Sequence, residues 1–137
     1  MSSQAGAMFE NLFASEALRR GLDVSRPDHH SIPFDLILSN SSGKLFRVQV
    51  KGTASKRDSG FGFNTASRTS GQKERRAMKR RNFDIFVGIV EIPGDRVFYI
   101  IPSEEIKKGK TTLRVFPKHD SQAQYERFRN AWSVFES

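Results

Sequence analysis

Residues 34–52 read FDLILSNSSGKLFRVQVKG, two apolar-rich runs of strand length with a turn signal between them. FDLIL (34–38) is apolar except for Asp35, which predicts a largely buried strand, and SNSSG (39–43) gathers the small polar residues and glycine that turns use. KLFRVQVKG (44–52) alternates, with Phe46, Val48 and Val50 on one face and Arg47, Gln49 and Lys51 on the other. Side chains two apart on a strand project the same way about 7 Å apart, so Gln49 and Lys51 stand side by side. Closing the two strands as a hairpin brings Asp35 to them. An acid, an amide oxygen and an ammonium then converge.

Toward the N-terminus, GAMFENLFASEALRR (6–20) places Met8, Phe9, Leu12, Phe13, Ala17 and Leu18 at helical spacing, and Gly21 follows as a stop signal. LDVSRP (22–27) reads as a short strand ending before Pro27, and 28–33 as a polar loop. Toward the C-terminus, GFGFNT (60–65) is expected as a third strand that completes a meander, and GQKERRAMKRR (71–81) as a basic connection, helical or irregular. FDIFVGIVEI (83–92) is the most apolar run and predicts a central strand, turned by PGD (93–95) into its hairpin partner RVFYII (96–101). A short helical turn at PSEE (102–105), an edge strand in TTLRVFP (111–117) and an amphipathic helix over 121–135 complete the chain. That helix rests on Tyr125, Phe128, Ala131, Trp132 and Phe135 at spacings of three and four. The expected fold class is α/β (α+β): one central mixed sheet flanked by helices, in one domain over residues 1–137.

Composition narrows the chemistry. The 137 residues suit one compact domain, and 36% apolar content with ten glycines supports a packed core. Zero cysteines remove a disulfide framework, a thiolate zinc site and a cysteine nucleophile, so any metal is held by oxygen or histidine. No window reaches 18 apolar residues and no targeting pattern opens the chain, so the expectation is a cytoplasmic protein with no membrane partner.

The net charge of +8 has an address. Residues 51–81 hold ten basic side chains (Lys51, Lys56, Arg57, Arg68, Lys73, Arg75, Arg76, Lys79, Arg80, Arg81) against Asp58 and Glu74, while the other 106 residues carry 13 of each sign. A basic run is often only a solvated face. This one is internal, starts inside a core strand and is interleaved with Phe61 and Phe63, so a polyanion is the expected partner.

Phosphodiester hydrolysis requires the set that the first hairpin brings together. A carboxylate with other oxygen ligands holds Mg²⁺, the ion lowers the pKa of water and shields phosphate charge, and a lysine orients the nucleophile or stabilises the developing charge. Glu10, halfway along the first helix, supplies a second carboxylate if that helix packs across the sheet.

The string GAMFENLFASEALRRGLDVSRPDHHSIPFDLIL followed by FRVQVKGT resembles the core of the PD-(D/E)XK nuclease superfamily, whose metal site is built by a helix glutamate, a strand aspartate and a (D/E)XK element. The matching positions are Glu10, Asp35, and Gln49 with Lys51 in Gln-Val-Lys, within a likeness that covers roughly residues 6–101. It implies a restriction-endonuclease-like core and a DNA endonuclease using Mg²⁺, with Mn²⁺ substituting. Asp35, Gln49 and Glu10 would be the metal ligands and Lys51 the catalytic lysine. Two departures stand out: Pro33 is two residues before Asp35 rather than adjacent, and Gln49 occupies the usual acidic position. A neutral amide removes a full charge from the ion's ligands. Branches similar to Holliday junction resolvases and intron-encoded homing endonucleases belong to the same superfamily, and certain homing enzymes carry glutamine there and still cut DNA; others have lost activity and only bind.

Every candidate has an ordinary reading beside the functional one. Asp35 could cap a turn, Lys51 could face solvent, Gln49 gains weight only from its pairing with Lys51, and Glu10 could be a surface residue of an amphipathic helix. His29 and His30 could transfer a proton near a phosphate, although loop histidines seldom do. Asp84 reads as an acid at the start of a strand, Asn64 and Thr65 as outward polar residues that could touch DNA, Phe61 and Phe63 as core, and Trp132 as core or dimer interface. Lys56, Arg57, Arg68, Lys73, Arg75, Arg76, Lys79, Arg80 and Arg81 are the expected phosphate contacts. The partners expected are duplex or branched DNA and further copies of the chain, as a dimer or higher oligomer. The rival readings are a decayed DNA-binding module of the same fold and an RNA-binding protein.

Overall fold

The computed structural model describes residues 4–28, 32–53, 56–57, 60–64, 66–67, 76–77, 82–106, 112–117 and 123–136, with the backbone alone at 56–57, 66–67 and 76–77. The chain begins with α1 (Gln4–Arg19) and continues through β1 (Asp23–Ser25), β2 (Leu36–Ser39), β3 (Leu45–Thr53), β4 (Lys56–Arg57) and β5 (Gly60–Asn64). There follow β6 (Ala66–Ser67), β7 (Arg76–Ala77), β8 (Ile85–Ile92), β9 (Asp95–Pro102) and β10 (Thr112–Val115), with 3₁₀ turns at Ser103–Glu105, Glu126–Phe128 and Trp132–Phe135.

Five strands form a mixed sheet in the order β1-β2-β3-β8-β9. The β2–β3 hairpin is the one the sequence predicts, pairing Leu36 with Val48 and Ser39 with Leu45. Its turn is built by Asn40, whose Oδ1 accepts the Ser42 and Lys44 amides at 3.1 and 3.0 Å, and by Gly43 at a φ of 85° that a side chain rarely adopts. β3 then runs parallel to β8, from Val48 opposite Ile85 to Thr53 opposite Val90. Asp84 secures the start of that pair: its carboxylate accepts the Arg47 amide at 2.8 Å and the Arg47 guanidinium at 3.1 Å, and its own amide donates to the Arg47 carbonyl.

Each face of this sheet has its own core. On one, Phe46, Val48 and Val50 meet Phe9, Phe13 and Ala17 of α1, and Trp132 stacks on Phe13 with ring centroids 5.2 Å apart. On the other, Phe86, Val90, Tyr99 and Ile101 pack against Phe61, Phe63, Leu113 and Val115. These last four come from a second, three-stranded sheet in the order β10-β5-β4.

Three expectations are corrected. GFGFNT does not complete a meander: β2 and β8 occupy both edges of β3, so β5 joins β10 and β4 on the face opposite α1. Within the basic connection, residues 76–77 are extended and pair with 66–67 rather than forming a helix. The C-terminal segment is not one amphipathic helix but two 3₁₀ turns interrupted at Asn130, whose φ is 49°. There the Asn130 amide donates to the Phe98 carbonyl at 2.5 Å, its Oδ1 accepts the Phe98 amide at 3.2 Å, and Arg129 bridges to Tyr99. The segment commits these backbone groups to the edge of β9, whereas a helix would have bonded them within itself. Among the described residues, no helix is long and apolar enough to cross a membrane.

Candidate active site

The candidate site forms where β2 begins and β3 runs on past it. Asp35 immediately precedes β2, and its amide donates to the Val48 carbonyl at 2.9 Å. Val48 and Val50 present their backbone groups to the same edge of β3, but β2 begins at Leu36 and offers no carbonyl to Val50. The Asp35 side chain fills that place, accepting the Val50 amide through Oδ2 at 2.8 Å. A missing ladder bond thus fixes one carboxylate in orientation.

Gln49 and Lys51 lie on the face opposite Phe46, Val48 and Val50, opposite Phe86 and Gly88 of β8 in register. Gln49 is 8% exposed and shares burial among the described polar residues only with Ser103. Lys51 is half-buried. Glu10 enters from α1 because the helix lies close to β3: a Cβ built at Gly52 would stand 2.1 Å from the Phe9 ring, so only glycine admits this approach.

Electrostatics ties these groups together. Burial, and then the negative charge of Asp35, raise the Glu10 carboxyl above its usual range, while Arg26 and Lys51 pull it down. Burial likewise raises Asp35, against the Val50 hydrogen bond and the positive charges of Lys51 and Arg26. Two carboxylates are therefore held near one another in partly dry surroundings with two cations beside them.

The second cation is not among the residues that the sequence singles out. Arg26 donates to Asn11 Oδ1 at 2.9 Å and places Nη1 3.8 Å from Glu10 Oε1. Its signal in the sequence is faint, one arginine between a short strand and Pro27, far from the 51–81 run that holds the charge excess.

Glu10, Asp35 and Lys51 are thus brought together, with Gln49 beside Lys51 on its face of β3. Arg68, Lys73, Arg75, Lys79, Arg80, Arg81, His29, His30 and Thr65 lie outside the described residues, and Lys56, Arg57 and Arg76 are described in backbone only. Phe61 and Phe63 are core, as is Trp132. Asp84 serves the β3–β8 start through Arg47.

Among the described residues no third carboxylate or histidine joins Glu10 and Asp35. The oxygen donors brought together are the carboxylates of Glu10 and Asp35, with the Gln49 amide beside Lys51 on its face of β3. Oxygen donors of this kind, their repulsion only partly offset by Arg26 and Lys51, suit a hard divalent cation such as Mg²⁺ or Mn²⁺.

Comparison with known proteins bears on the fold and the family. The bacterial homing endonuclease I-Ssp6803I has the same fold, with a TM-score of 0.80 over 98% of this chain and 95% of that one at 20% identity. The crystal structure of MepB aligns with a TM-score of 0.48 over 88% of this chain and 85% of that one at 14% identity. No curated protein matches. A family model described as PD-(D/E)XK endonuclease matches residues 1–135. Spanning both cores and every strand of the five-stranded sheet, that match places the chain in the PD-(D/E)XK endonuclease family.

Proposed function

We propose that this endonuclease hydrolyses DNA with Glu10, Asp35, Gln49 and Lys51 as its working residues and Mg²⁺, replaceable by Mn²⁺, as its cofactor. The observation that carries the reading is the pair of half-buried carboxylates, Glu10 and Asp35, with the charge of Asp35 bearing on Glu10 and Lys51 acting on both. Such a pair remains unfavourable even with Arg26 and Lys51 beside it, since burial still raises both carboxyls, and a divalent cation between them would relieve it.

Glu10, Asp35 and the Gln49 amide oxygen would hold the ion. A divalent cation there supplies Lewis acidity, neutralising phosphate charge and making water a competent nucleophile at neutral pH. Asp35 contributes an orientation fixed before substrate arrives, through its bond to the Val50 amide. Lys51, projecting beside Gln49, presents its ammonium to the phosphate oxygen on which charge grows or to the attacking water. The 51–81 segment, which carries the whole charge excess, grips the backbone of duplex or branched DNA. Cutting both strands of a duplex takes two sites, and a dimer or higher oligomer of one domain over residues 1–137 provides them.

Plasmid and branched DNA incubated with Mg²⁺ or Mn²⁺ test the reading. Cleavage by the wild type that Lys51→Ala abolishes supports it; equal residual cutting by both sinks it. Mn²⁺ binding by calorimetry that is insensitive to Asp35→Asn, together with salt-sensitive DNA binding and no cutting, would identify the decayed binding module instead.

A further inference from the structure

Four of the described glycines lie within strands of the two sheets, and a strand glycine needs a reason because it weakens the strand it sits in. Three have an internal one. A Cβ would meet Phe9 at Gly52 (2.1 Å), Phe116 at Gly60 (2.5 Å) and Phe63 at Gly88 (2.7 Å). Gly62 has none. It is exposed, its φ is not in the left-handed region, and among the described residues a Cβ there would meet only Thr112 Cγ2 at 3.4 Å. Among the described residues nothing fills the room above exposed Gly62, and close approach of a ligand is one use of such a strand glycine.

Pairing shows what surrounds that opening. β5 and β10 are antiparallel, with Phe63 opposite Leu113 and Phe61 opposite Val115 on the buried side. Their outward side pairs Asn64 with Thr112 and Gly62 with Arg114. Asn64 and Thr112 are exposed, and the Arg114 guanidinium lies over the Phe116 ring at 5.5 Å. Amides, hydroxyls and guanidinium groups read base edges, and among the described residues β4 pairs β5 only at Gly60 and Phe61, so the part of β5 and β10 that carries these groups is a two-stranded ribbon of the kind that fits the major groove.

We propose that the outward face of the β5–β10 ribbon enters the DNA major groove, Gly62 giving clearance to the bases while Asn64, Thr112 and Arg114 read their edges. The inference rests on the nuclease reading and adds where sequence is sensed. Charge favours this occupant: β4 and β5 belong to the 51–81 span that holds the +8 excess. Position favours it too. Phe63 of β5 packs on Gly88, whose register partner is Lys51, so the ribbon is seated directly on the strands that carry the candidate site.

Selection of bound duplexes from a randomised pool, in EDTA so that binding is read without cutting, tests the proposal. The wild type should enrich a defined sequence. Gly62→Val, with a melting temperature at or above that of the wild type because valine favours strands, should bind the enriched duplex at least about tenfold more weakly. Asn64→Ala and Thr112→Val should each relax the preference at one or two positions only. A folded Gly62→Val that binds the enriched duplex within about twofold of the wild type overturns the proposal; should that variant fail to fold, unchanged preferences in the other two overturn it. A wild type that binds duplex without preference removes the base-reading role alone, whereas one that binds no DNA removes the nuclease reading as well.

Discussion

Phe9 covers Gly52 so closely that a Cβ at residue 52 would stand 2.1 Å from its ring, and Glu10 follows Phe9 on the same helix. One packing contact therefore sets how near the helix carboxylate comes to Asp35 and Lys51. Gly52→Ala should destabilise the protein by about 1–3 kcal/mol, the usual effect of forcing atoms into a packed core. It should also lower Mn²⁺ affinity, because the helix must move outward. Phe9→Ala combined with Gly52→Ala should destabilise by less than the sum of the two single changes. Urea unfolding of the four proteins checks the coupling, and additive values would show that the Phe9–Gly52 packing does not control the approach.

Asp35 does two things that substitution can separate. Its Oδ2 accepts the Val50 amide, which an asparagine oxygen can also do, and its charge bears on Glu10, which asparagine cannot reproduce. Asp35→Asn should therefore fold with near-normal stability yet lose Mn²⁺ binding and at least about a hundredfold in cleavage rate. Asp35→Ala should lose the same activity and also destabilise by about 1–3 kcal/mol, because the Val50 donor is left without its partner. Calorimetry with Mn²⁺ and chemical denaturation of both variants distinguish the two contributions.

The raised carboxyls of Glu10 and Asp35 give the metal-free protein a definite pH response. Burial is the main cause in both, so the folded chain keeps these protons to higher pH than the unfolded chain does. As pH rises from the ordinary carboxylate range through the raised folded values, these two groups subtract from stability. Asp84 and Glu16, held below their usual range beside Arg47 and Arg19 respectively, act in the opposite sense and lose their contribution as pH falls. Glu10→Gln isolates the first effect: it should raise the metal-free melting temperature at neutral pH and leave it unchanged at about pH 3, where Glu10 is protonated in both states. Added Mn²⁺ should raise the wild-type melting temperature at neutral pH, and that of Glu10→Gln much less.

The half of the molecule that carries the candidate site is legible in the sequence because its signals are local. Alternation in residues 44–52 fixes which face Gln49 and Lys51 share, SNSSG supplies the turn, and hairpin closure does the rest. What stays hidden depends on competition between distant partners. Alternation in GFGFNT marks Phe61 and Phe63 as buried but cannot say on which sheet, and β5 goes to the second sheet because parallel β8 has taken the remaining edge of β3. The spacing of Tyr125, Phe128, Trp132 and Phe135 suits 3₁₀ turns as well as an α-helix, and the need of β9 for a partner at Phe98 decides between them through Asn130. Arg26 escapes notice for the same reason, since its neighbour Glu10 is 16 residues earlier and only the fold joins them.

The charge partition yields the last prediction. If the excess at 51–81 grips phosphates while Glu10, Asp35 and Gln49 hold the ion, the two functions are separable by substitution. Replacing Arg75, Arg76, Arg80 and Arg81 with alanine removes four cations and none of the candidate ligands. Each phosphate left without its cation should reduce the slope of log affinity against log salt by about 0.9, so the quadruple variant should lose up to about 3.6. Its Mn²⁺ isotherm should coincide with that of the wild type, and its cleavage at saturating DNA in low salt should approach the wild-type rate. A fall in Mn²⁺ affinity matching the fall in DNA affinity would mean instead that the basic segment supports the metal site itself.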